Sequence, residues 1–194
     1  MPTAGSASIT GFVLAGGSSR RMGQDKAFLS FRGYPLIEWI AQVVEDTTGS
    51  AIIIGDPERY RSLNRIVIPD RRTDCGPLAG IEAGLMYSST EKNLFVACDM
   101  PDLKQELLHS LIQEPSAPCV MPRTPDGQLH PLCAVWSKQL LPGITASLDA
   151  SRLRVLGCLQ STDIKEVHWE TLSNTNTPEE WRAHISRSTP PTGV

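Results

Sequence analysis

An apolar run from Ile9 to Leu14 stops at Ala15-Gly16-Gly17 and gives way to Arg20, Arg21 and Lys26. That junction constrains the chain more than any other stretch. The run has the length and composition of a short buried strand. The glycines let the backbone turn sharply and leave no side chain between its amides and a ligand. Amides exposed in such a turn form a concavity suited to anions, with phosphate the usual occupant. The cations add the matching charge, lysine as a point charge and arginine as a two-pronged donor. The stretch reads as a phosphate-holding loop after a first strand; the plainer alternative is a glycine turn with solvated arginines. It is not a P-loop, because Gln24 and Asp25 separate Gly23 from Lys26 and Ala27 follows. Nor does Gly16-Gly17 fit the Gly-x-Gly-x-x-Gly dinucleotide fingerprint.

Strands and helices alternate through the rest of the chain. After an extended segment and turn at Ala27–Pro35, a helix is expected from Pro35 to about Val44, on the spacing of Leu36, Ile37, Ile40, Val43 and Val44. Strands follow at Ala51–Ile54, Arg65–Ile68 and Asn93–Ala97, with a short helix at Glu58–Leu63 and longer ones to about Tyr87 and from Leu103 to Gln113. Two strands, Pro118–Pro122 and Leu129–Trp136, flank a Pro125-Asp126-Gly127 turn. Helices at Lys138–Leu141 and Ser147–Leu159, a strand at Ile164–His168 and a final helix near Pro178 complete the pattern. Such alternation implies an α/β, Rossmann-like, mostly parallel sheet with helices on both faces. At 194 residues the chain suits one domain, residues 9–185, with flexible ends at 1–8 and 186–194.

In such folds ligands gather outside the carboxyl ends of the strands. The Gly16 loop, the Pro69-Asp70 corner and the Cys98-Asp99 corner all follow strands and should share one crevice. Asp99 follows Leu94-Phe95-Val96-Ala97 directly. A carboxylate there can hold Mg2+ together with substrate phosphates, or cap the next helix. Asp70 can face the same crevice or simply serve the turn before Arg71-Arg72. Gly76-Pro77-Leu78-Ala79-Gly80 is a second glycine element and, in its bland reading, a helix start. His130 opens a strand with no second histidine or carboxylate at metal spacing, which excludes a histidine metal site. The net charge of −3 argues against nucleic-acid binding. The five cysteines lack Cys-x-x-Cys spacing, which fits neither a disulfide framework nor a zinc site and suits the cytoplasm. No secretory leader or membrane-spanning run is evident.

Leu14-Ala15-Gly16-Gly17-Ser18-Ser19-Arg20-Arg21-Met22-Gly23-Gln24-Asp25-Lys26 resembles the opening signature of the molybdenum cofactor guanylyltransferases, the MobA family. Cys98-Asp99-Met100-Pro101, the Gly76–Gly80 element and Asn174-Thr175-Asn176-Thr177-Pro178 resemble later motifs of the same family, in the same order. The resemblance covers roughly Gly11 to Trp181 and implies a nucleotidyltransferase fold of GT-A-like type. It implies transfer of GMP from GTP to molybdopterin-bound molybdenum, with Mg2+ held by Asp99 and with Lys26 and Arg20 neutralising phosphate charge. Nucleotide contacts would come from Leu14, Ala15, Gly16, Gly17, Lys26, Asp70, Leu78, Gly80 and Asp99. His130, Asn174 and Asn176 would lie on the acceptor side. The partners implied are GTP and molybdopterin, with no nucleic acid or membrane and with room for transient contact with cofactor-donating or cofactor-accepting proteins. One departure stands out: the guanylyl enzymes often carry a nucleotide-contacting asparagine after the second strand, and this chain has Gly55-Asp56-Pro57. Rivals are a cytidylyl or sugar-phosphate nucleotidyltransferase and a nucleotide-binding regulator without catalysis.

Overall fold

Along the first strand, Phe12 and Leu14 point one way and Val13 the other, and all three are buried. A strand with both faces buried must lie inside a sheet covered on both sides. The structure, a computed structural model, describes residues 9–16, 26–114, 117–172 and 180–182. Its strands are β1 (Ile9–Leu14), β2 (Ser30–Phe31), β3 (Tyr34–Pro35), β4 (Ile52–Ile54), β5 (Val67–Ile68), β6 (Lys92–Ala97), β7 (Cys119–Arg123), β8 (Cys133–Ser137) and β9 (Ile164–His168). Its helices are α1 (Leu36–Thr48), α2 (Pro77–Tyr87), α3 (Gln105–Ile112) and α4 (Leu141–Asp149). Seven strands form one sheet in the order β5-β4-β1-β6-β8-β7-β9, and β2 and β3 form a separate hairpin.

The mostly parallel sheet expected from the sequence is present, with β8 alone running against its neighbours β6 and β7. The same alternation of faces runs across it. Val13, Ile53, Leu94, Val96, Val120 and Val135 pack under α1 and α3. Phe12, Ile54, Phe95, Met121, Ala134 and Trp136 pack under α2 and α4. Phe12 and Phe95, on adjacent strands, stack with centroids 5.0 Å apart. Each fully buried side chain of this size stabilises the fold by about 1.5–3 kcal/mol. No helix among the described residues is long and apolar enough to cross a membrane.

The structure differs locally from the sequence expectations. The segment after Lys26 is a 3-10 turn, Lys26–Phe28, followed by the β2–β3 hairpin. Arg32 and Gly33 form its two-residue loop with φ of 51° and 87°, the left-handed pair that matches the strand twist. Helix α1 runs on to Thr48 and stops at Gly49, whose φ of 78° and N–H to Glu45 O form a left-handed cap. The helix expected at Ser147–Leu159 is instead α4, ending at Asp149. There the chain turns at Ser151 (φ 54°), and the Arg152 N–H returns to Ser147 O. Leu153 to Leu159 holds only a 3-10 turn at Val155–Cys158. Leu129 makes an isolated bridge to Arg123, so strand β8 begins only at Cys133. The expected flexible ends and most of the final helix lie outside the described residues.

Candidate active site

Register brings the loops together. Leu14 pairs with Ile54 on one side and Ala97 on the other, and Ile54 pairs with Ile68. Hydrogen bonds continue beyond the strand ends: Ala15 N–H donates to Ile54 O at 2.9 Å, Gly55 N–H to Ile68 O at 3.0 Å and Cys98 N–H to Leu14 O at 3.1 Å. Gly16, Asp70 and Asp99 therefore leave the sheet at one edge. Because β8 is antiparallel, the 124–132 loop that feeds it reaches the same edge, where Leu132 O accepts from Ala97 N–H at 2.7 Å.

A cavity of about 370 Å³ opens at this edge, lined by Leu14, Gly16, Ile54, Asp70, Arg72 and Gly80 among others. Asp70 stands between two glycines. A Cβ on Gly16 would lie 2.9 Å from Asp70 Oδ2, and one on Gly80 would lie 3.3 Å from Oδ1 and 2.8 Å from Leu14 Cδ2. Any side chain at either position would push the carboxylate or the core. Asp70 Oδ1 is buried and has no hydrogen-bond partner among the described residues. Burial pushes its carboxyl up from the ordinary carboxylate range. A buried acceptor left open in a cavity wall calls for donors from a ligand. The Leu78 side chain is fully buried in the core beneath α2 and is not among the residues that line this cavity. The Ala15 side chain likewise packs into the core, on the α1 face.

Asp99 leaves the sheet at the same strand edge, within reach of the Lys26 charge. Burial raises the Asp99 carboxyl, and the positive charge of Lys26 acts in the opposite direction. The Lys26 charge thus reaches Asp99 although the two residues are 73 positions apart in the sequence. Buried Ala27 anchors the Lys26 turn, and Leu29 N–H closes it on Lys26 O at 3.1 Å. Gly17, Arg20, Asn174 and Asn176 lie outside the described residues. His130 reaches the right edge, but the residue is 6% exposed and its Nε2 meets Thr124 Oγ1 at 3.1 Å. Burial lowers its pKa, favouring the neutral ring. His130 therefore braces the 124–130 loop.

Two features escape sequence reasoning. Arg72, in the cavity wall, grips Glu82 on α2 with bonds of 2.8 and 3.1 Å and Asp149 on α4 at 2.7 Å, while the Thr145 hydroxyl donates to Glu82 Oε1 at 2.8 Å. The Tyr60 hydroxyl donates to Ala15 O at 2.8 Å. The partners are distant in sequence or on different elements, so no spacing signals them; only the Gly55-Asp56-Pro57 departure hinted at something unusual beside Tyr60.

The model of the MobA-like NTP transferase domain matches residues 11–162. A protein of Flavobacterium johnsoniae named "Probable molybdenum cofactor guanylyltransferase" is 34% identical over 178 residues, covering 89% of this chain and 94% of that one. A molybdenum cofactor guanylyltransferase of Desulfosudis oleivorans is 35% identical over 149 residues, covering 75% and 73%. The crystal structure of molybdopterin-guanine dinucleotide biosynthesis protein A from Archaeoglobus fulgidus shares the fold, with a TM-score of 0.77 at 21% identity, covering 93% of this chain and 100% of that one. The matched span takes in every described corner of the crevice, and the chain belongs to the MobA-like NTP transferase family.

Proposed function

We propose that this chain transfers GMP from GTP to the terminal phosphate of molybdenum-loaded molybdopterin and releases pyrophosphate, with residues 9–185 acting as one unit. The observation that carries the reading is the crevice itself: Gly16, Asp70 and Asp99 leave the sheet at one edge, Asp70 opens there into a cavity, and the Lys26 charge bears on half-buried Asp99. The relatives named as molybdenum cofactor guanylyltransferases support the choice of substrates.

An acceptor phosphate oxygen attacks the α-phosphorus of GTP, and the bond from that phosphorus to the bridging oxygen of the β-phosphate breaks. The nucleophile is already anionic, so no general base is required, and the barrier is the gathering of negative charge. Lys26 neutralises charge on the transferred and departing phosphates, with Arg20 as its companion. Asp99 suits a metal that arrives with the nucleotide: it is a half-buried carboxylate at the strand edge, with its Oδ1 buried. When bound, Mg2+ supplies Lewis-acid neutralisation of phosphate charge. Asp70 offers an open acceptor to the N1–H and N2–H donors of guanine. Cytosine presents acceptors at the corresponding ring positions and would leave that carboxylate facing lone pairs, a mismatch that costs far more than poor shape. Asn174 and Asn176 keep the acceptor side.

Pyrophosphate release with Mg2+, loaded molybdopterin and either GTP or CTP tests the reading. Release with GTP at least about a hundredfold faster than with CTP is the expected result. Equal rates would favour the cytidylyl rival, and turnover only with a sugar phosphate would favour the other transferase. Binding of GTP without pyrophosphate release would leave a regulator.

A further inference from the structure

Tyr60 lies beneath the glycine loop on the side away from the cavity. It is 1% exposed and belongs to the α1 face of the core, whereas Leu14 and Ile54 in the cavity wall belong to the α2 face. Its hydroxyl donates to the Ala15 carbonyl, the last one before Gly16. The Ala15 C=O and the Gly16 N–H are parts of one peptide unit, and in a planar trans peptide they point in opposite directions. Holding the carbonyl toward Tyr60 therefore aims the N–H toward the cavity side. Gly16 is exposed there and lines the wall beside Asp70. The neighbouring Ala15 N–H is taken by Ile54 O, while the Gly16 N–H meets no acceptor among the described residues.

The ring that carries the hydroxyl is itself fixed. A Cβ on Gly55 would come within 2.7 Å of Tyr60 Cε2, so glycine is what lets the ring approach. Phe28 stacks on it with centroids 5.8 Å apart, and the Arg59 guanidinium stands 5.8 Å from its centroid. Phe28 shares its 3-10 turn with Lys26. One side chain thus touches the first residue before the loop through its hydroxyl and the turn after the loop through its ring.

The geometry points to Tyr60 as a positioning residue that turns the Gly16 N–H toward an acceptor atom of the bound nucleotide and ties the Lys26 turn to the same anchor. This role rests on the nucleotide-transfer reading above. The space that a side chain at Gly55 would fill goes to the Tyr60 ring.

Tyr60→Phe keeps the ring and removes the hydroxyl. Backbone NMR of the ligand-free protein reads the clamp directly. The order parameter of the Gly16 amide should fall from the rigid range near 0.85 toward the flexible range below about 0.6, while Phe12 and Val13 in β1 stay unchanged. Calorimetric GTP affinity should weaken roughly three- to tenfold, the worth of one hydrogen bond. KM for GTP should rise by the same factor with kcat within about twofold, because the amide serves ground state and transition state alike. Gly55→Ala displaces the ring without touching the hydroxyl and should give the same shifts. A Gly16 amide equally ordered in wild type and both variants overturns the clamp, whatever GTP does. Lost order with unaltered GTP affinity overturns the aim at the nucleotide. Wild-type protein that ignores GTP while Gly16 loosens in Tyr60→Phe sinks the nucleotide reading and upholds the clamp.

Discussion

Burial raises the Asp70 carboxyl above its ordinary value of 3.8, so the ionised form that would accept guanine donors opposes folding. The sign follows from linkage. A carboxyl whose folded pKa is raised contributes most below the unfolded value, and that contribution is lost as pH rises through the folded pKa. At neutral pH the wild type therefore carries a penalty that Asp70→Asn removes. The variant should unfold at a higher urea concentration than wild type at pH 7, and the two should converge near pH 3, where the carboxyl is neutral in both states. GTP should bind the variant about ten- to a hundredfold more weakly, the cost of a charge-assisted hydrogen bond. Asp99 feels the same burial, which still raises its carboxyl, but there the Lys26 charge partly opposes it. Lys26→Ala should cut kcat and kcat/KM by similar factors of roughly ten to a hundred. It should also move the acidic limb of the pH–rate profile to higher pH, because burial then acts on Asp99 without the opposing charge. A rate profile identical to wild type would take Lys26 out of the mechanism.

Between single residues and the sheet, the element that shapes the cavity is the loop from Pro69 to Gly76, and its stiffness comes from Arg72. The guanidinium joins that loop to α2 through Glu82 and to α4 through Asp149. The Glu82 side chain is 3% exposed and that of Arg72 is 29% exposed. Glu82→Ala lets Arg72 turn toward water, so it should lower the urea midpoint, but by less than breaking one side of a fully buried pair would. Urea unfolding would measure that loss, and a rise in KM for GTP would show the cavity wall loosening with it. Helix α4 must stop at Asp149 for this contact to form. The turn at Ser151 that ends it has no glycine or proline to announce it, and apolar spacing alone suggested a helix running on to Leu159.

For the molecule as a whole, the strand order brings the chemistry to one edge. Its central parallel strands β4, β1 and β6 carry the corners of Gly16, Gly55 and Asp99, and β5 brings Asp70 beside them. These strands were legible in the sequence, since each is a short apolar run closed by glycine, proline or aspartate. The fold class and the shared crevice followed from their alternation with helices. The insertion of antiparallel β8 between β6 and β7, which carries the His130 loop to the same edge, was not legible, because strand order depends on how both faces of the sheet are covered. By itself the sequence determined which residues could do phosphate chemistry and that Gly16, Asp70 and Asp99 should meet at strand ends. Glycine turns, apolar runs and capping residues act over a few positions, and their physics is local. Only the tertiary structure decided that Tyr60 would hold Ala15, that Arg72 would find Glu82 and Asp149, and that the Leu78 and His130 side chains would turn into the protein. Those outcomes depend on burial and on register between segments far apart in the chain, which no local pattern of residues encodes.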